Sequence, residues 1–170
     1  MRMKRIIAIL LILASVLSFS SCNPSSLPKE MPEDFTLYVQ WGTFGYSSYS
    51  SETGKLVKDF DIDGKYSTTY VMPKEDLKEA YSIIRKLGID KFPKEFSQKE
   101  LQGSSPYCIF TIKATINGET YSVTAKQVSG YDGGRSIRTI RFLNAVESIV
   151  TIITSSDEWR SIPESENFYE

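Results

Sequence analysis

Alternating acidic residues in the middle of the chain have the spacing of calcium ligands. Asp59, Asp61 and Asp63 are followed by Gly64, and acids at positions one, three and five of a calcium loop, with glycine at six, can converge on one ion. Position twelve would be Tyr70 instead of a bidentate Glu, and the flanking residues have strand character. A hairpin turn with solvated acids is therefore favoured, and calcium binding by the three aspartates is the alternative.

Aromatic residues interleaved with Gly and Ser lie between positions 38 and 49. Exposed rings can stack on sugars or anchor a protein interface. Trp41 alternates with the apolar residues of its predicted strand, which favours core packing for its indole. Tyr38, Tyr46 and Tyr49 are the predicted ligand surface, and the alternative is that these rings decorate strands without a binding role.

The composition excludes several classes of enzyme. The chain contains no His, so Ser-His-Asp and Cys-His catalysis and imidazole metal sites are excluded. We predict no catalytic residues and no cofactor. A two-carboxylate glycosidase needs no His and stays open, although it requires two acids that face each other across a cleft.

The amino terminus has the organisation of a secretory signal. Basic residues at positions 2, 4 and 5 precede an apolar run that is shorter than the roughly 20 residues needed to cross a bilayer core, and small residues lead into Cys22. The sequence Phe19-Ser20-Ser21-Cys22 resembles a bacterial lipobox, with Phe where Leu is usual. The resemblance covers only these first 22 residues; it implies acylation of Cys22 and attachment to the cell envelope. Asn23, which is not the Asp that retains lipoproteins in the inner membrane, implies the outer membrane of a Gram-negative cell.

The expected acylation of Cys22 determines what is expected of the second cysteine, Cys108. If the sulfur of Cys22 carries a lipid, Cys108 has no partner within the chain, and no structural disulfide is expected. Cys108 shares the apolar face of a predicted strand, which predicts a buried and inert thiol.

The charge balance argues against a nucleic-acid partner. Three of the 20 basic residues and none of the 21 acidic residues lie in positions 1–21, so the remaining chain has 17 against 21, a net charge of about −4. It has no basic run, which makes nucleic acid an unsuitable partner. For the same reason we expect an anionic lipid surface to attract it little.

The hydrophobic periodicity predicts an α+β domain. Four strands between residues 35 and 72 form a meander, a helix follows Pro73 and ends at Gly88, and an irregular stretch leads to a hairpin with Asn117-Gly118 at its turn. The Asn-Gly turn and the alternation of apolar and polar residues predict the same register. Ala114, Ile112 and Phe110 pair with Tyr121, Val123 and Ala125. A second helix spans about 136–153. We expect an antiparallel sheet of about six strands with the helices packed on one face.

The predicted organisation is a signal peptide at 1–21, a lipidated Cys22 with a flexible tether at 22–33, one domain at 34–164, and an acidic tail at 165–170. The domain resembles small, functionally uncharacterised lipoproteins of bacterial envelopes, a resemblance that has no diagnostic motif and implies no activity. The expected function is a non-catalytic binding or interaction module that meets a protein or a glycan. An inhibitor of an envelope enzyme, or a glycosidase, is the alternative.

Overall fold

The computed structural model describes residues 25–59, 64–97, 106–127 and 136–164, and within these ranges the chain is α+β, as predicted. Seven strands form one mostly antiparallel sheet in the order β4-β3-β2-β1-β6-β7-β5. The elements are β1 (Thr36–Trp41), β2 (Ser47–Ser50), β3 (Lys55–Asp59), β4 (Lys65–Thr69), α1 (Lys74–Leu87), β5 (Glu95–Ser97), β6 (Ile109–Ile116), β7 (Glu119–Lys126), α2 (Ile137–Thr154) and α3 (Asp157–Arg160).

The strand count of about six is wrong because β5 was predicted to be irregular. β5 pairs in parallel with β7, with Phe96 opposite Ala125. Three residues are too few to show the period-two alternation by which a strand is recognised in a sequence. The ring of Phe96 meets Phe142 of α2 edge-on, with centroids 5.3 Å apart. Tertiary packing thus fixes this strand.

The hairpin of β6 and β7 has the predicted register, with Ile112 opposite Val123 and Ala114 opposite Tyr121. Asn117 and Gly118 have φ of 52° and 77°, which a type I′ turn requires. The carboxylate of Asp34 accepts hydrogen bonds from the backbone N–H groups of both turn residues. The amino-terminal end of the domain is therefore tied to the hairpin turn.

The hydrophobic core lies between one face of the sheet and the helices. Inward residues of the central strands are fully buried, among them Val39 and Ile112, and so are Ile84 of α1 and Ile149 of α2. α1 ends at Gly88, whose φ of 72° suits a left-handed cap. None of the helices in the described ranges is long and apolar enough to cross a membrane.

Residues 22–33 are not a free tether, and this prediction is wrong from Ser25 onwards. Leu27 is buried in the core, the Tyr81 hydroxyl donates a hydrogen bond of 2.7 Å to the carbonyl of Pro28, and Asp90 accepts hydrogen bonds from Ser25 and Ser26. Prolines suggested an open chain, yet they also reduce the entropy lost when an extended segment docks. The domain therefore begins before residue 34.

The two ends of α2 pack against different parts of the domain. The carboxyl end of α1 meets the amino-terminal turn of α2, because Arg141 donates to the carbonyl of Leu87 at 3.0 Å. Phe92, just after α1, packs on Phe142, so this end lies at the β5 edge. Trp159 of α3 packs on Trp41, with ring centroids 5.7 Å apart, at the far end of α2.

Candidate functional site

The sheet face opposite the helices is rich in hydroxyl groups. Successive strand residues point to opposite faces, so the pattern that buries Val39 and Ile112 turns polar residues outward. Hydrogen bonds between hydroxyl groups bridge β6 and β7 there. The Oγ1 atoms of Thr111 and Thr124 are 3.1 Å apart, and those of Thr115 and Thr120 are 3.2 Å apart. We call this surface the open face; its outward residues include Thr36, Tyr38, Gln40, Ser48, Ser50, Thr111, Lys113, Thr115, Thr120, Ser122 and Thr124.

A shallow cleft of about 230 Å³ lies on the open face beside Tyr38. Tyr38 stands opposite Ser50 on one side and Lys113 on the other, and Thr36 and Glu52 complete the rim. An aromatic ring is thus surrounded by hydroxyl, ammonium and carboxylate groups. Such a mixture offers an apolar platform together with hydrogen-bond donors and acceptors.

A second aromatic group lies at the other end of the open face, where β1 turns into β2. Phe44 packs on Tyr46, with centroids 5.5 Å apart, and edge-on against Tyr107 at 5.0 Å. The Lys65 ammonium sits 3.9 Å from the centre of the Tyr46 ring, as a cation–π contact. We call Phe44, Tyr46 and Tyr107 the aromatic cluster. All three are half-buried, and none belongs to the main hydrophobic core.

The loop that carries the aromatic cluster is held in a strained conformation. Phe44 has φ of 51°, between Gly42 at 85° and Gly45 at 68°, and a bulky residue rarely adopts this region. Hydrogen bonds hold it there: Phe44 donates its N–H to Tyr107 at 2.9 Å, and the Gln40 side chain donates to Gly45 at 2.8 Å. Strain of this kind persists only where the surroundings enforce it, and it concentrates at functional sites.

Tyr49 is not part of the predicted ligand surface, and that assignment is wrong. Its ring is 1% exposed, its hydroxyl accepts from the N–H of Met72 at 3.3 Å, and burial raises the pKa of its phenol. Tyr46 and Tyr49 are separated by an odd number of positions, so they cannot share one face of a strand. The structure places Tyr38 and Tyr46 outward on the open face.

Trp41 is half-buried on the helix side, packed against Trp159. Tyr107 and Phe44 were missed as site residues. Tyr107 is far from position 46 in the sequence, and the pairing of Thr43 with Cys108 and the hydrogen bond from Phe44 to the Tyr107 carbonyl bring them together.

The calcium alternative lies largely outside the described residues, which include Asp59 but neither Asp61 nor Asp63. Asp59 ends β3, and its N–H donates to the Ser47 hydroxyl at 3.1 Å. Across the described ranges, no group of three or more Cys, Asp or Glu residues is arranged to hold a metal ion.

Cys22 also lies outside the described residues. Cys108 is a free thiol, half-buried where full burial was predicted, because it sits in an isolated bridge at the end of β6. Burial raises the pKa of this thiol, which disfavours the reactive thiolate.

A groove of about 650 Å³ between the helices is the place where opposing acids would support a glycosidase. Asp76 and Glu79 of α1 line it together with Glu147 of α2. The two-carboxylate mechanism needs one acid in an apolar, water-poor setting. Glu79 and Glu147 are exposed to solvent and Asp76 is half-buried. None of the three is withdrawn from water, so the groove supports catalysis less well than the open face supports binding.

Comparison with known proteins adds no family to this picture. No protein-family model matches the chain, and no curated protein is detectably similar to it in sequence.

Proposed function

We propose that this protein is a lipid-anchored, non-catalytic binding module of the bacterial cell envelope, and that its open face binds a glycan. The observation that carries the proposal is the aromatic cluster, held in place by a strained loop at one end of a hydroxyl-rich sheet face. The resemblance of residues 19–22 to a lipobox supports acylation of Cys22. Asn23 supports the outer membrane as the destination in a Gram-negative cell.

The chemistry of the open face suits a sugar polymer. Sugar rings present apolar C–H faces that pack on aromatic rings, and hydroxyl groups at their edges that pair with Ser, Thr, Gln and Lys side chains. Tyr38 pairs with Ser50, four positions from Tyr46, so the two rings lie roughly 13 Å apart along the strands. That separation favours an extended ligand that contacts both rings.

Rigidity of the site strengthens the argument for binding. The hydrogen bonds from Phe44 to Tyr107 and from Gln40 to Gly45 fix the loop before any ligand arrives. A preorganised surface loses less conformational entropy on binding than a mobile one. A protein partner would meet the same surface, and glycan is favoured because the face is polar and carries aromatic rings instead of being broadly apolar.

The test measures binding of the full-length, processed protein to glycan fragments released from the envelope of its own cell. We expect Tyr46→Ala to weaken binding about tenfold, since an aromatic anchor contributes more than about 1 kcal/mol. Tyr66→Ala is the matched control, because Tyr66 is 41% exposed and its strand position, opposite Lys58, faces away from the open face.

The proposal is refuted if Tyr46→Ala binds as tightly as the native protein, or if the native protein retains no glycan. The anchor is tested separately: the amino-terminal peptide should carry acyl mass on Cys22, and Cys22→Ala should leave the membrane fraction.

A further inference from the structure

The amino-terminal segment is clamped to the domain very close to the proposed lipid. Asp90 accepts hydrogen bonds from the Ser25 hydroxyl at 2.9 Å, the Ser26 N–H at 3.1 Å and the Ser26 hydroxyl at 2.8 Å, and Leu27 is buried beside them. Cys22 precedes Ser25 by three positions, so even a fully extended chain places their Cα atoms within roughly 10 Å. A lipid on Cys22 would hold this end of the domain at the bilayer surface.

Basic side chains gather at this same end. Lys86 is in the last turn of α1, and Arg138 and Arg141 are in the first turns of α2. Arg141 and Lys86 line one shallow pocket. Lys94 directly precedes β5, and its carbonyl accepts a hydrogen bond from the N–H of Thr124.

The nearby acids do not cancel this charge. Glu95 is paired with Lys126 at 2.7 Å. Asp90 keeps its negative charge, because hydrogen bonds from neutral serines do not neutralise a carboxylate and here lower its pKa. One such charge against the four cations named above leaves this end with a net positive charge.

The opposite end of the helices has no such excess of positive charge. Glu75 and Asp76 lie in the first turn of α1, and Asp157 and Glu158 lie in the first turn of α3. The cations of this end are balanced by these acids, since Lys78 pairs with Glu75 at 2.9 Å and Arg160 lies 3.8 Å from Asp157. The net charge of about −4 outside the signal therefore conceals a separation of charge along the helices. An expectation based on net charge alone, that an anionic lipid surface attracts this protein little, overlooks that separation.

Two exposed apolar side chains lie within the basic region. Ile137 is 79% exposed and Ile140 is 39% exposed. They are three positions apart and share one face of α2 with Arg141. Isoleucines flanked by arginines are typical of a helix surface that contacts the boundary between headgroups and acyl chains.

We propose that this basic end, formed by Lys86, Lys94, Ile137, Arg138, Ile140 and Arg141, docks on the anionic phospholipid bilayer that carries the anchor. The inference rests on the proposed acylation of Cys22. A lipid surface is favoured as the occupant for three reasons: the short connection to Cys22, the positive charge and the two exposed isoleucines. With the β5 edge on the bilayer, the strands run parallel to the membrane, and so does the path from Tyr38 to Tyr46. A glycan bound there would lie along the membrane.

The test uses the full-length protein, processed and acylated in its host, then reconstituted into vesicles. One set contains phosphatidylcholine alone, and in the other roughly one quarter is replaced by phosphatidylglycerol. An environment-sensitive fluorophore is attached at Ile137→Cys in a Cys108→Ser background. The matched control carries the same label at Thr69→Cys, an exposed position on β4 at the opposite edge of the sheet.

We expect phosphatidylglycerol to shift the emission of the label at position 137 to the blue, salt to reverse the shift, and the label at position 69 not to respond. Lys86→Gln combined with Arg138→Gln should lower the ratio of docked to undocked protein about 25-fold, about fivefold for each cation. Lys74→Gln combined with Lys78→Gln removes equal charge at the far end of α1 and should leave that ratio unchanged.

The outcomes separate the two proposals. Absence of acyl mass on Cys22 together with failure to join the vesicles overturns the anchor. A vesicle-bound, acylated protein whose label at position 137 ignores phosphatidylglycerol overturns docking while leaving the anchor intact. A signal at position 137 that depends on protein concentration instead of lipid charge assigns the surface to a second copy of the chain and also overturns docking.

Discussion

The clamp between Asp90 and the amino-terminal segment determines how far the domain can stand from its proposed anchor, and Asp90→Ala tests it. The substitution removes the acceptor of three hydrogen bonds from Ser25 and Ser26. Bonds to a charged acceptor contribute more than neutral ones, but two of these three are exposed to solvent. We therefore expect the free energy that holds the segment on the domain to fall by about 2 kcal/mol. This raises the population in which the segment is detached about 30-fold.

Hydrogen exchange measures this opening directly. The N–H of Ser26 donates to Asp90, and the N–H of Leu27 donates to the Ser25 hydroxyl at 3.2 Å, so both should exchange about 30-fold faster in Asp90→Ala. Amides in the centre of β6 should keep their protection. Glu79→Ala is the matched control, because it removes one carboxylate from the exposed surface of α1.

The clamp should also respond to acid. Burial alone would raise the pKa of the Asp90 carboxyl, but the hydrogen bonds from Ser26 and Ser25 outweigh burial, and the pKa is lowered. A carboxyl with a depressed pKa stabilises the attached segment at every pH above its ordinary pKa of about 3.9. This stabilisation is lost as the pH falls through the lowered pKa. Protection of Ser26 should therefore fall only in strong acid.

A role for Asp90 in holding the segment is contradicted if Asp90→Ala speeds exchange at Ser26 and Leu27 by less than about threefold. It is also contradicted if Glu79→Ala has the same effect, since a general loss of negative charge would then explain the result.

Three further predictions concern the core, the strained loop and the thiol. Tyr49→Phe should lower the free energy of unfolding by about 1–2 kcal/mol, because a buried N–H loses its acceptor, while glycan binding persists. Gly45→Ala should lower the midpoint of thermal denaturation more than Gly118→Ala. Both have positive φ, but at Gly45 a Cβ would lie 2.7 Å from the Gln40 amide and displace it from its hydrogen bond to the Gly45 carbonyl. Equal shifts of the midpoint would contradict this. Cys108 should react with iodoacetamide more slowly than a free thiol at neutral pH and faster as the pH rises, since burial raises its pKa. A rate equal to that of a free thiol would refute this.

The elements that could be predicted from the sequence are those set by local rules. The Asn117-Gly118 turn and the alternation around it determine the register of β6 and β7, because a slip of one residue would expose every core side chain of the hairpin. Gly88 likewise ends α1 where a left-handed residue is needed.

The elements that could not be predicted depend on distant partners. β5 is a strand because it pairs with β7 and because Phe96 packs on Phe142. The segment from Ser25 to Leu27 resembles a linker in composition, and it is ordered by Asp90, which lies 64 to 65 positions away. Composition describes the tendency of a segment alone and does not include the partner that orders it.

The candidate site was predicted only in part, because some of its residues also depend on distant partners. Alternation identifies Tyr38 as an outward residue on β1, and the same rule could have shown that Tyr46 and Tyr49 face opposite ways. Tyr107 joins the aromatic cluster through backbone contacts between two segments that are distant in sequence, the pairing of Thr43 with Cys108 and the hydrogen bond from Phe44 to Tyr107. The charge separation was hidden because the basic end combines the last turn of one helix with the first turns of another.

The most direct test of the open face as the ligand surface is to map backbone NMR shifts of the protein as envelope glycan fragments are added. We predict changes at outward positions of neighbouring strands, with Tyr38, Ser48 and Lys113 among the strongest, and at the loop that carries Phe44. Changes confined to the groove between the helices, at Glu147 and its neighbours, would contradict the proposal, and so would the absence of any change.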